Sequence, residues 1–321
     1  MAKINFQSTS KVPAVSIIMP CYNLGKYIED AIESLLKQTF QDFHLTIVDD
    51  ASTDPETKRI LSNLALPENA SLVTEKKNLG LSGVRNKYIL RAKSKYVFSF
   101  DPDDILKPTF LEKSVAYLES NLKKAAVATW LEKFGIESGV VKLNEELASL
   151  PSMLISNHYL GSCVFRKEVF SEVGGYDTAQ VVYGAEDYDF WLSVLEKGWS
   201  LGVIEEPLFK YRRLANSSSS QSSKPEKSVQ WRKYIIEKHI DLYSKNILAV
   251  VVGFEKRASE SHAGYIDTSR KLTSISQDYK ELHTYVEADL IPELNRYKKT
   301  INRLRFFRPR YYINKLKAHS K

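Results

Sequence analysis

Short apolar runs and helical stripes follow each other along the first hundred residues. Residues 14–19 form an apolar, β-branched run without polar alternation, which is typical of a strand buried on both faces of a parallel sheet. Apolar residues then recur at helical spacing between Tyr27 and Leu36, and a second apolar run follows at residues 45–48. This strand–helix–strand order predicts two parallel strands joined by a right-handed crossover.

The pattern continues, and acidic residues stand where the strands end. We predict a third strand at residues 71–73, a helix at 81–92 and a fourth strand at 95–100. Asp49 and Asp50 follow the second strand, and an Asp-Pro-Asp-Asp sequence follows the fourth. Open parallel sheets bind ligands at the carboxyl ends of their strands. We therefore predict an α/β fold with a ligand site at this edge.

Farther along, the pattern becomes mixed. A helix is predicted at residues 109–121, an antiparallel pair of strands at 125–135 and 139–143, a strand at 162–166 and a helix at 185–197. These elements extend the α/β domain and add an antiparallel part to its sheet.

A change in composition then divides the chain. Residues 216–228 are rich in serine and can bury little, so we expect a flexible linker or loop there. This segment separates a domain at residues 1–215 from a helical region at 229–321. In the helical region, apolar residues spaced three and four apart between 272 and 304 are typical of a short coiled coil or helical hairpin, interrupted at Pro292.

The composition is that of an ordinary globular protein. The 321 residues are 43% hydrophobic and 26% charged, which excludes disordered and fibrous classes. No apolar run approaches the roughly 18 residues that a membrane span needs, and the first dozen residues lack the apolar centre of a secretory signal. Cys21 and Cys163 are too few for a disulfide framework. We therefore expect a reduced, cytoplasmic protein.

The net charge of +7 comes from the end of the chain. Residues 296–321 hold ten Lys and Arg and no acidic residue, whereas the rest carries 36 basic against 39 acidic groups. Within residues 303–321 the cations alternate with aromatic and aliphatic residues, which favours attachment to the inner face of an anionic membrane. The alternative is packing on the domain or on a second copy, in a homo-oligomer, through the 272–304 stripe. Nucleic acid is not an expected partner, because the sequence contains no recognised nucleic-acid-binding fold.

The acidic turn after the fourth strand is the first candidate for chemistry. Asp101, Asp103 and Asp104 can direct oxygens to one hard cation and leave positions open for phosphate oxygens. The alternative is an Asp-Pro turn with solvated carboxylates. The sequence has no GxGxxG after its first strand and no GxxxxGK[ST], which disfavours dinucleotide oxidoreductases and P-loop NTPases.

Six segments occur in the order and spacing found in family 2 glycosyltransferases, and the chain resembles that family over residues 14–215. The segments are VSIIMPCYN (15–23), QTFQDFHLTIVDDASTD (38–54), NLGLSGVRN (78–86), FSFDPDD (98–104), GGYD (174–177) and GAEDYDFWLSVLEKGW (184–199). Each segment is weak evidence alone, and six in order are strong evidence.

The resemblance implies a fold and an activity. The fold would be GT-A, a mostly parallel central sheet flanked by helices, here with a C-terminal helical extension. The enzyme would be a metal-dependent hexosyl- or N-acetylhexosaminyl-transferase that moves a sugar with inversion from a nucleotide diphosphate, UDP being expected, to an acceptor hydroxyl. The acceptor would be a glycan or a lipid-linked molecule in surface polysaccharide, lipopolysaccharide or glycoprotein glycan synthesis.

The resemblance also implies roles for single residues. Asp101, Asp103 and Asp104 would bind the Mn²⁺ or Mg²⁺ that bridges the donor diphosphate. Asp187 would be the general base, with Glu186 as the alternative, although acidic residues at a helix start also complement the helix dipole. Donor contacts would be made by Pro20, Tyr22, Asn23, Asp50, Arg85, Asn86, Asp101 and Pro102. For Asp49 and Asp50 the alternative is helix N-capping with Ser52 and Thr53, and for Arg85 it is an exposed helical arginine in a salt bridge.

The sequence departs from the family after its last strand. Many relatives have Tyr-Arg-x-His there, whereas this chain has Tyr211, Arg212, Arg213 and Leu214. Either the metal has fewer protein ligands, or Arg212 or Arg213 neutralises the diphosphate, or a downstream residue does so. The missing histidine also leaves a non-catalytic nucleotide-sugar-binding module as the alternative function. Relatives often have Arg where Ser193 stands, which leaves contacts to the acceptor open.

Overall fold

The computed structural model describes residues 12–214 and 224–264, with a few more between 280 and 296. The chain divides into two compact units, Met1–Gly253 and Phe254–Lys321. In the second unit the described residues include the end of one helix and a π-helical turn, Val286–Leu290. The predicted stripe at 272–304 lies mostly outside the described residues, and the basic tail at 303–321 lies wholly outside them.

Strands and helices alternate in the first unit. The strands are β1 (Val15–Cys21), β2 (Phe43–Asp49), β3 (Ala70–Thr74), β4 (Tyr96–Ser99), β5 (Ile105–Leu106), β6 (Lys124–Gly135), β7 (Gly139–Val141), β8 (Val164–Arg166) and β9 (Ser200–Arg213). The helices are α1 (Gly25–Leu36), α2 (Pro55–Ser62), α3 (Gly80–Arg91), α4 (Phe110–Ser120), α5 (Leu150–Ile155), α6 (Lys167–Val173), α7 (Glu186–Glu196), α8 (Pro225–Lys238), α9 (Ile240–Lys245) and α10 (Ile247–Gly264), of which α10 continues into the second unit.

The strands form one sheet in the order β3-β2-β1-β4-β8-β6-β9-β5, with β7 paired to β6. The four strands β3, β2, β1 and β4 are parallel, which confirms the predicted parallel direction of the first strands. The other half is mixed: β8 is antiparallel to both neighbours, β6 and β9 are parallel, and the predicted antiparallel pair is β6 and β7. The carboxyl ends of β1, β2 and β4 therefore meet at one edge, as predicted.

Aromatic packing fixes the strand that leads into the acidic turn. Every residue of β4 is buried, and the Phe98 ring lies 5.3 Å from that of Phe100 and 5.1 Å from that of Phe110. Phe209, on β9, packs edge-on against Phe100 and Phe110. Burial of each such ring contributes about 1.5–3 kcal/mol. The position of the turn after Phe100 is therefore set by the core beneath it.

Several elements were not predicted, among them α2, β5 and the helices α5 and α6. Helix α2 begins with a local signal: Asp54 is its N-cap and accepts a hydrogen bond from the Thr57 amide at 2.8 Å, and Pro55 is its first residue. Periodicity did not detect this helix, because it has only eight residues and buries only two of them, Thr57 and Leu61.

The first unit extends beyond the predicted domain boundary. Helices α8 and α9 follow the serine-rich segment, and Ile235, Leu242 and Val250 are buried in the unit that contains the sheet. The division falls after Gly253 instead of at residues 216–228, because the segment after the serines has its own apolar face to cover. Among the helices in the described part of the chain, none is long and apolar enough to cross a membrane.

Two neighbouring glycines at the end of α6 give a matched test of the fold. Gly174 has φ +84° and a Cβ there would meet nothing within 4 Å, whereas a Cβ on Gly175, φ +87°, would lie 2.7 Å from Asn86 Oδ1 and 2.9 Å from Phe170 Cζ. We predict that Gly174→Ala costs about 1–2 kcal/mol from backbone strain alone. Gly175→Ala should cost about 1–3 kcal/mol more, because it also overpacks the site.

Urea unfolding of the two variants measures this difference. Equal losses of unfolding free energy would show that Asn86 and Phe170 can move aside, and would contradict the close packing of this turn.

Candidate active site

The acidic turn lies between β4 and β5. The Asp104 carboxylate is 1% exposed, and its Oδ1 accepts a hydrogen bond from the Arg212 amide at 2.8 Å. Among the described residues its Oδ2 has no hydrogen-bond partner. Burial, with Asp103 and Asp101 adding repulsion, raises the pKa of Asp104 well above its usual range, and burial with Asp101 nearby raises the pKa of Asp103 to about 6. Negative charge is concentrated here, and a cation would stabilise it.

Arg212 lies beside this turn. Its Nε donates to the Asp103 carbonyl oxygen at 2.7 Å, and its guanidinium carbon lies 4.6 Å from the Tyr27 ring and 4.4 Å from the Phe134 ring. Arg213 instead donates to Glu137 at 3.2 Å. Of the two arginines that follow Tyr211, Arg212 is therefore bonded to the acidic turn and Arg213 is paired with Glu137.

Arg85, on α3, connects two motifs that are distant in sequence. Its side chain is buried, with Nη1 3.0 Å from Glu186 Oε1 and Nη2 3.4 Å from Asp101 Oδ1. Nε donates to Ser99 Oγ at 2.9 Å, and the Tyr176 ring lies 5.4 Å from the guanidinium. Burial opposes its charge, but the carboxylates of Asp101 and Glu186 raise the pKa of Arg85 above its usual value. The alternative of an exposed helical arginine was wrong.

Glu186 and Asp187 begin α7 and differ in their surroundings. Glu186 is held by Arg85 through Oε1 and by the Gly184 amide, which donates to Oε2 at 2.7 Å. Asp187 Oδ2 accepts from the Gly161 amide at 3.0 Å. Its Oδ1 accepts from the amide of the next residue at 2.7 Å and from the Asn157 side chain at 3.3 Å. Burial and the neighbouring Glu186 raise the pKa of Asp187 to about 7.

Two residues predicted to contact the donor, Asp50 and Asn23, form hydrogen bonds within the protein. Asp50 accepts from the amides of Leu79 at 2.7 Å and Gly80 at 2.9 Å, and so caps the start of α3. Asn23, with φ +57°, accepts from the amides of Thr53 and Asp54 through its Oδ1. The polar atoms of both side chains join neighbouring loops at the sheet edge. The local contact to Ser52 is made by Asp49, whose Oδ1 accepts from the Ser52 amide at 2.9 Å, whereas Asp50 is bonded to the start of α3.

The remaining predicted contacts are spread along the same edge. Asn86 exchanges two hydrogen bonds of 2.8 Å with the backbone of Tyr176 and so fastens the GGYD segment to α3. Tyr22 is 44% exposed just beyond β1, whereas Pro20 is buried within β1 and Pro102 is buried in the acidic turn. Tyr22 is therefore well placed to contact a bound molecule, and the donor roles of the whole set stay predictions.

The donor set of the acidic turn fits a metal ion only in part. Among the described residues, no group of three or more His, Cys, Asp or Glu side chains is arranged to hold a metal. Asp104 is buried and bonded to Arg212, so Asp101 and Asp103 are the better ligands. Two carboxylates suit Mg²⁺ or Mn²⁺ that takes its other ligands from water and a diphosphate.

Sequence reasoning missed the groups that support Asp187. Asn157 and Gly161 lie in a loop outside the six motifs and gave no local signal. His239, which no motif singled out, is buried against carboxylates of α7. The Trp191 side chain of the same helix is fully buried in the core.

Known proteins share both the sequence pattern and the fold. The sequence model of glycosyl transferase family 2 matches residues 16–175. The putative glycosyltransferase EpsE of Bacillus subtilis is 30% identical over 219 residues, which cover 65% of this chain and 77% of that protein. The chain belongs to glycosyl transferase family 2. The putative teichuronic acid biosynthesis glycosyltransferase TuaG of the same organism is 28% identical, over 69% of this chain and 87% of its own length.

Solved structures confirm the GT-A fold of this family 2 enzyme. Staphylococcus aureus TarS 1–349 in complex with UDP-GlcNAc superposes with a TM-score of 0.55 at 18% identity, over 69% of this chain and 65% of that one. The Pyrobaculum calidifontis mannosyltransferase PcManGT, in complex with GDP-Man and Mn²⁺, has a TM-score of 0.52 at 19% identity, over 86% and 82%. Glu186 and Asp187 lie beyond the residues that the family model matches.

Arg85 should be essential for the stability of this site. Replacing it by methionine leaves two carboxylates unpaired, one of them buried, so Arg85→Met should lower the unfolding free energy by about 3–5 kcal/mol. Arg91→Met, on the exposed face of the same helix, should change it by less than about 1 kcal/mol. Urea unfolding followed by circular dichroism compares them. A loss in Arg85→Met as small as in the control would contradict the buried ion pair.

Proposed function

We propose that this family 2 enzyme transfers a sugar, with inversion, from a nucleotide diphosphate donor to an acceptor hydroxyl. One observation carries the proposal: the buried Arg85 joins Asp101 of the acidic turn to Glu186 of α7. The groups suited to a donor diphosphate and the groups suited to proton transfer therefore belong to one site.

Asp187 is the proposed general base. An inverting displacement needs a base that takes the proton of the acceptor hydroxyl on the face opposite the leaving group. A pKa of about 7 suits this task, because such a carboxylate is ionised near neutral pH and still binds a proton well. Glu186 is less suited, since it is buried and ion-paired with Arg85, whereas Asp187 is less buried and accepts hydrogen bonds only from neutral amides in the described structure. We therefore assign Glu186 to hold Arg85.

Asp101 and Asp103 are the proposed ligands of Mn²⁺ or Mg²⁺. When bound, a divalent ion stabilises the negative charge that grows on the departing nucleotide diphosphate. Arg212 fixes the turn through the Asp103 carbonyl oxygen and contributes a permanent positive charge beside it. This arrangement supports the alternative in which Arg212, and not Arg213, compensates for the missing family histidine.

The identity of the donor and acceptor is proposed from relatives. The TarS complex contains UDP-GlcNAc, and the PcManGT complex contains GDP-Man with Mn²⁺. These support a nucleotide diphosphate donor and a divalent cation, and we favour UDP linked to a hexose or N-acetylhexosamine. TuaG is named for teichuronic acid biosynthesis, which supports a surface polysaccharide as the acceptor.

Donor turnover tests the proposal directly. The full chain is incubated with Mn²⁺ and, one at a time, UDP-glucose, UDP-galactose, UDP-GlcNAc, UDP-GalNAc and GDP-mannose, and release of the nucleoside diphosphate is measured. Release from at least one donor is expected. Binding of a nucleotide-sugar without release, with water or added sugars as acceptors, would favour the non-catalytic binding module instead.

We expect the metal-dependent part of UDP binding to require the carboxylate of Asp103. In Asp103→Asn we expect UDP affinity to fall strongly in Mn²⁺ and little in EDTA, because the lost oxygen matters only when the ion is bound. Calorimetric titration of UDP in the two buffers measures this, with Asp241→Asn, an exposed carboxylate on α9, as the control. An equal loss in both buffers would rule out a metal role for Asp103.

Loss of the base should separate binding from transfer. Asp187→Asn should retain UDP affinity and lose transfer by about 10²–10⁴-fold, because a positioned base is removed. In the wild type, the rate should fall below a pH of about 7 as Asp187 becomes protonated, since only the ionised carboxylate can accept a proton.

The neighbouring carboxylate is the comparison. If Asp187→Asn transfers sugar near the wild-type rate while Glu186→Gln is inactive, the base is Glu186. If the fall in rate below pH 7 is unchanged in the residual activity of Asp187→Asn, another group causes it.

A further inference from the structure

A buried carboxylate on α7 is bound from outside the glycosyltransferase motifs. Asp189 lies two residues after Asp187 and is 1% exposed. Its Oδ1 lies 3.0 Å from His239 Nε2, and its Oδ2 accepts from Lys238 Nζ at 2.8 Å. A carboxylate at this depth is tolerated only when it is paired. Both carboxylate oxygens of Asp189 are therefore contacted by residues at the junction between α8 and α9.

The side chains of Lys238 and His239 make further contacts on either side. His239 Nδ1 lies 3.2 Å from Glu196 Oε2, so the ring spans two turns of α7, from Asp189 to Glu196. Lys238 Nζ also donates to Asp177 Oδ2 at 2.7 Å. We call these five residues the junction cluster. It ties α8 both to α7 and to the GGYD segment.

Tyr176 connects the GGYD segment to the candidate active site. The Tyr176 ring stacks on Phe190 of α7 with centroids 4.5 Å apart, and lies 5.4 Å from the Arg85 guanidinium. The Tyr176 backbone is bonded to Asn86 of α3. A displacement of Asp177 would therefore be transmitted to the ring that packs against Arg85.

Packing around Tyr188 adds a second link. This residue stands between Asp187 and Asp189, and its hydroxyl donates to the Met153 carbonyl oxygen at 2.6 Å. The hydroxyl also lies 3.3 Å from that of Tyr243 on α9, and Trp231 of α8 packs edge-on against the Tyr188 ring at 5.9 Å. The residue next to the proposed base is thus enclosed by α8 and α9.

We propose that Lys238 and His239 are positioning residues for the reaction. By holding Asp189, Glu196 and Asp177, they fix the start of α7, and with it Asp187, relative to Arg85. They act through α7 and do not touch the donor. The active unit therefore requires the helices after residue 224, which lie outside the residues matched by the family model. This inference rests on the proposed role of Asp187.

Lys238→Met is the test, in the full chain with Mn²⁺. The concentration of folded sites is measured from the stoichiometry of UDP binding. Turnover is then expressed per UDP-binding site, so that unfolded molecules do not lower the measured rate. We expect UDP affinity to stay within about twofold, since the acidic turn is untouched. The turnover per UDP-binding site should fall by about 10- to 10²-fold, because a small misplacement of a reacting group has that effect. Hydrogen–deuterium exchange of the peptide at residues 186–196 should rise.

Two further variants complete the design. Lys233→Met, on the same helix with half of its side chain exposed and Glu237 as its ion-pair partner, should leave turnover and exchange unchanged. Lys238→Arg, whose guanidinium can reach two carboxylates, should restore most of the turnover. If Lys238→Met does not fold, Lys238→Gln replaces it, and the same fall in turnover per site is expected.

The outcomes separate the two proposals. Unchanged turnover per site in Lys238→Met or Lys238→Gln, beside an inactive Asp187→Asn, would overturn the positioning role alone. A fully active Asp187→Asn would overturn the base assignment, while increased exchange at 186–196 in Lys238→Met would still support the mechanical part of the inference. A loss in Lys233→Met as large as in Lys238→Met would also overturn the positioning role.

Discussion

The buried guanidinium of Arg85 is the constraint on which the site depends. A charge at 4% exposure is stable only if carboxylates and hydrogen-bond acceptors surround it, and here Ser99, Asp101 and Glu186 do so. These partners belong to the end of β4, the acidic turn and α7. Once α3 is packed on β1, the position of Arg85 is given, and the two acidic motifs must approach it from either side. The side chain of Arg85 thus bonds to two residues, Asp101 and Glu186, that lie 85 residues apart in the sequence.

Much of the fold could be predicted because its signals are local. The apolar runs of β1 and β2 and the helical stripe of α1 repeat the periods of a buried strand and an amphipathic helix, so they were recognised without tertiary information. The mixed half of the sheet could not be predicted in the same way. The pairing of β6 with β9 in parallel joins residues some 75 apart and contains register shifts, and no local pattern specifies it. The serine-rich segment and the division after Gly253 do not coincide for a related reason, since a flexible composition does not reveal what packs beyond it.

The site shows a similar limit at the level of single residues. The motifs indicated correctly which residues lie at the strand ends, but not what their side chains bind. Asp50 caps α3, Asn23 joins two loops and Asn86 holds Tyr176, so these polar groups build the edge on which a ligand would lie. A carboxylate that accepts hydrogen bonds from two backbone amides cannot be distinguished in the sequence from a carboxylate that contacts a ligand. Only the partners, which come from other elements, distinguish them.

Charge at the acidic turn explains why such a site would require a cation as well as arginines. Arg212 contacts the turn through the backbone carbonyl of Asp103 and through its own amide, which donates to the Asp104 carboxylate, and Arg85 is shared between Asp101 and Glu186. Neither arginine is dedicated to the carboxylate of Asp103, and this deficit of positive charge leaves uncompensated the burial and the repulsion from Asp101 that raise its pKa. A proton or a metal ion can remove the deficit, but only a metal ion does so while keeping positive charge for an incoming diphosphate. The same arrangement that disfavours an ionised Asp103 in the free protein therefore favours binding of a divalent ion together with an anionic donor.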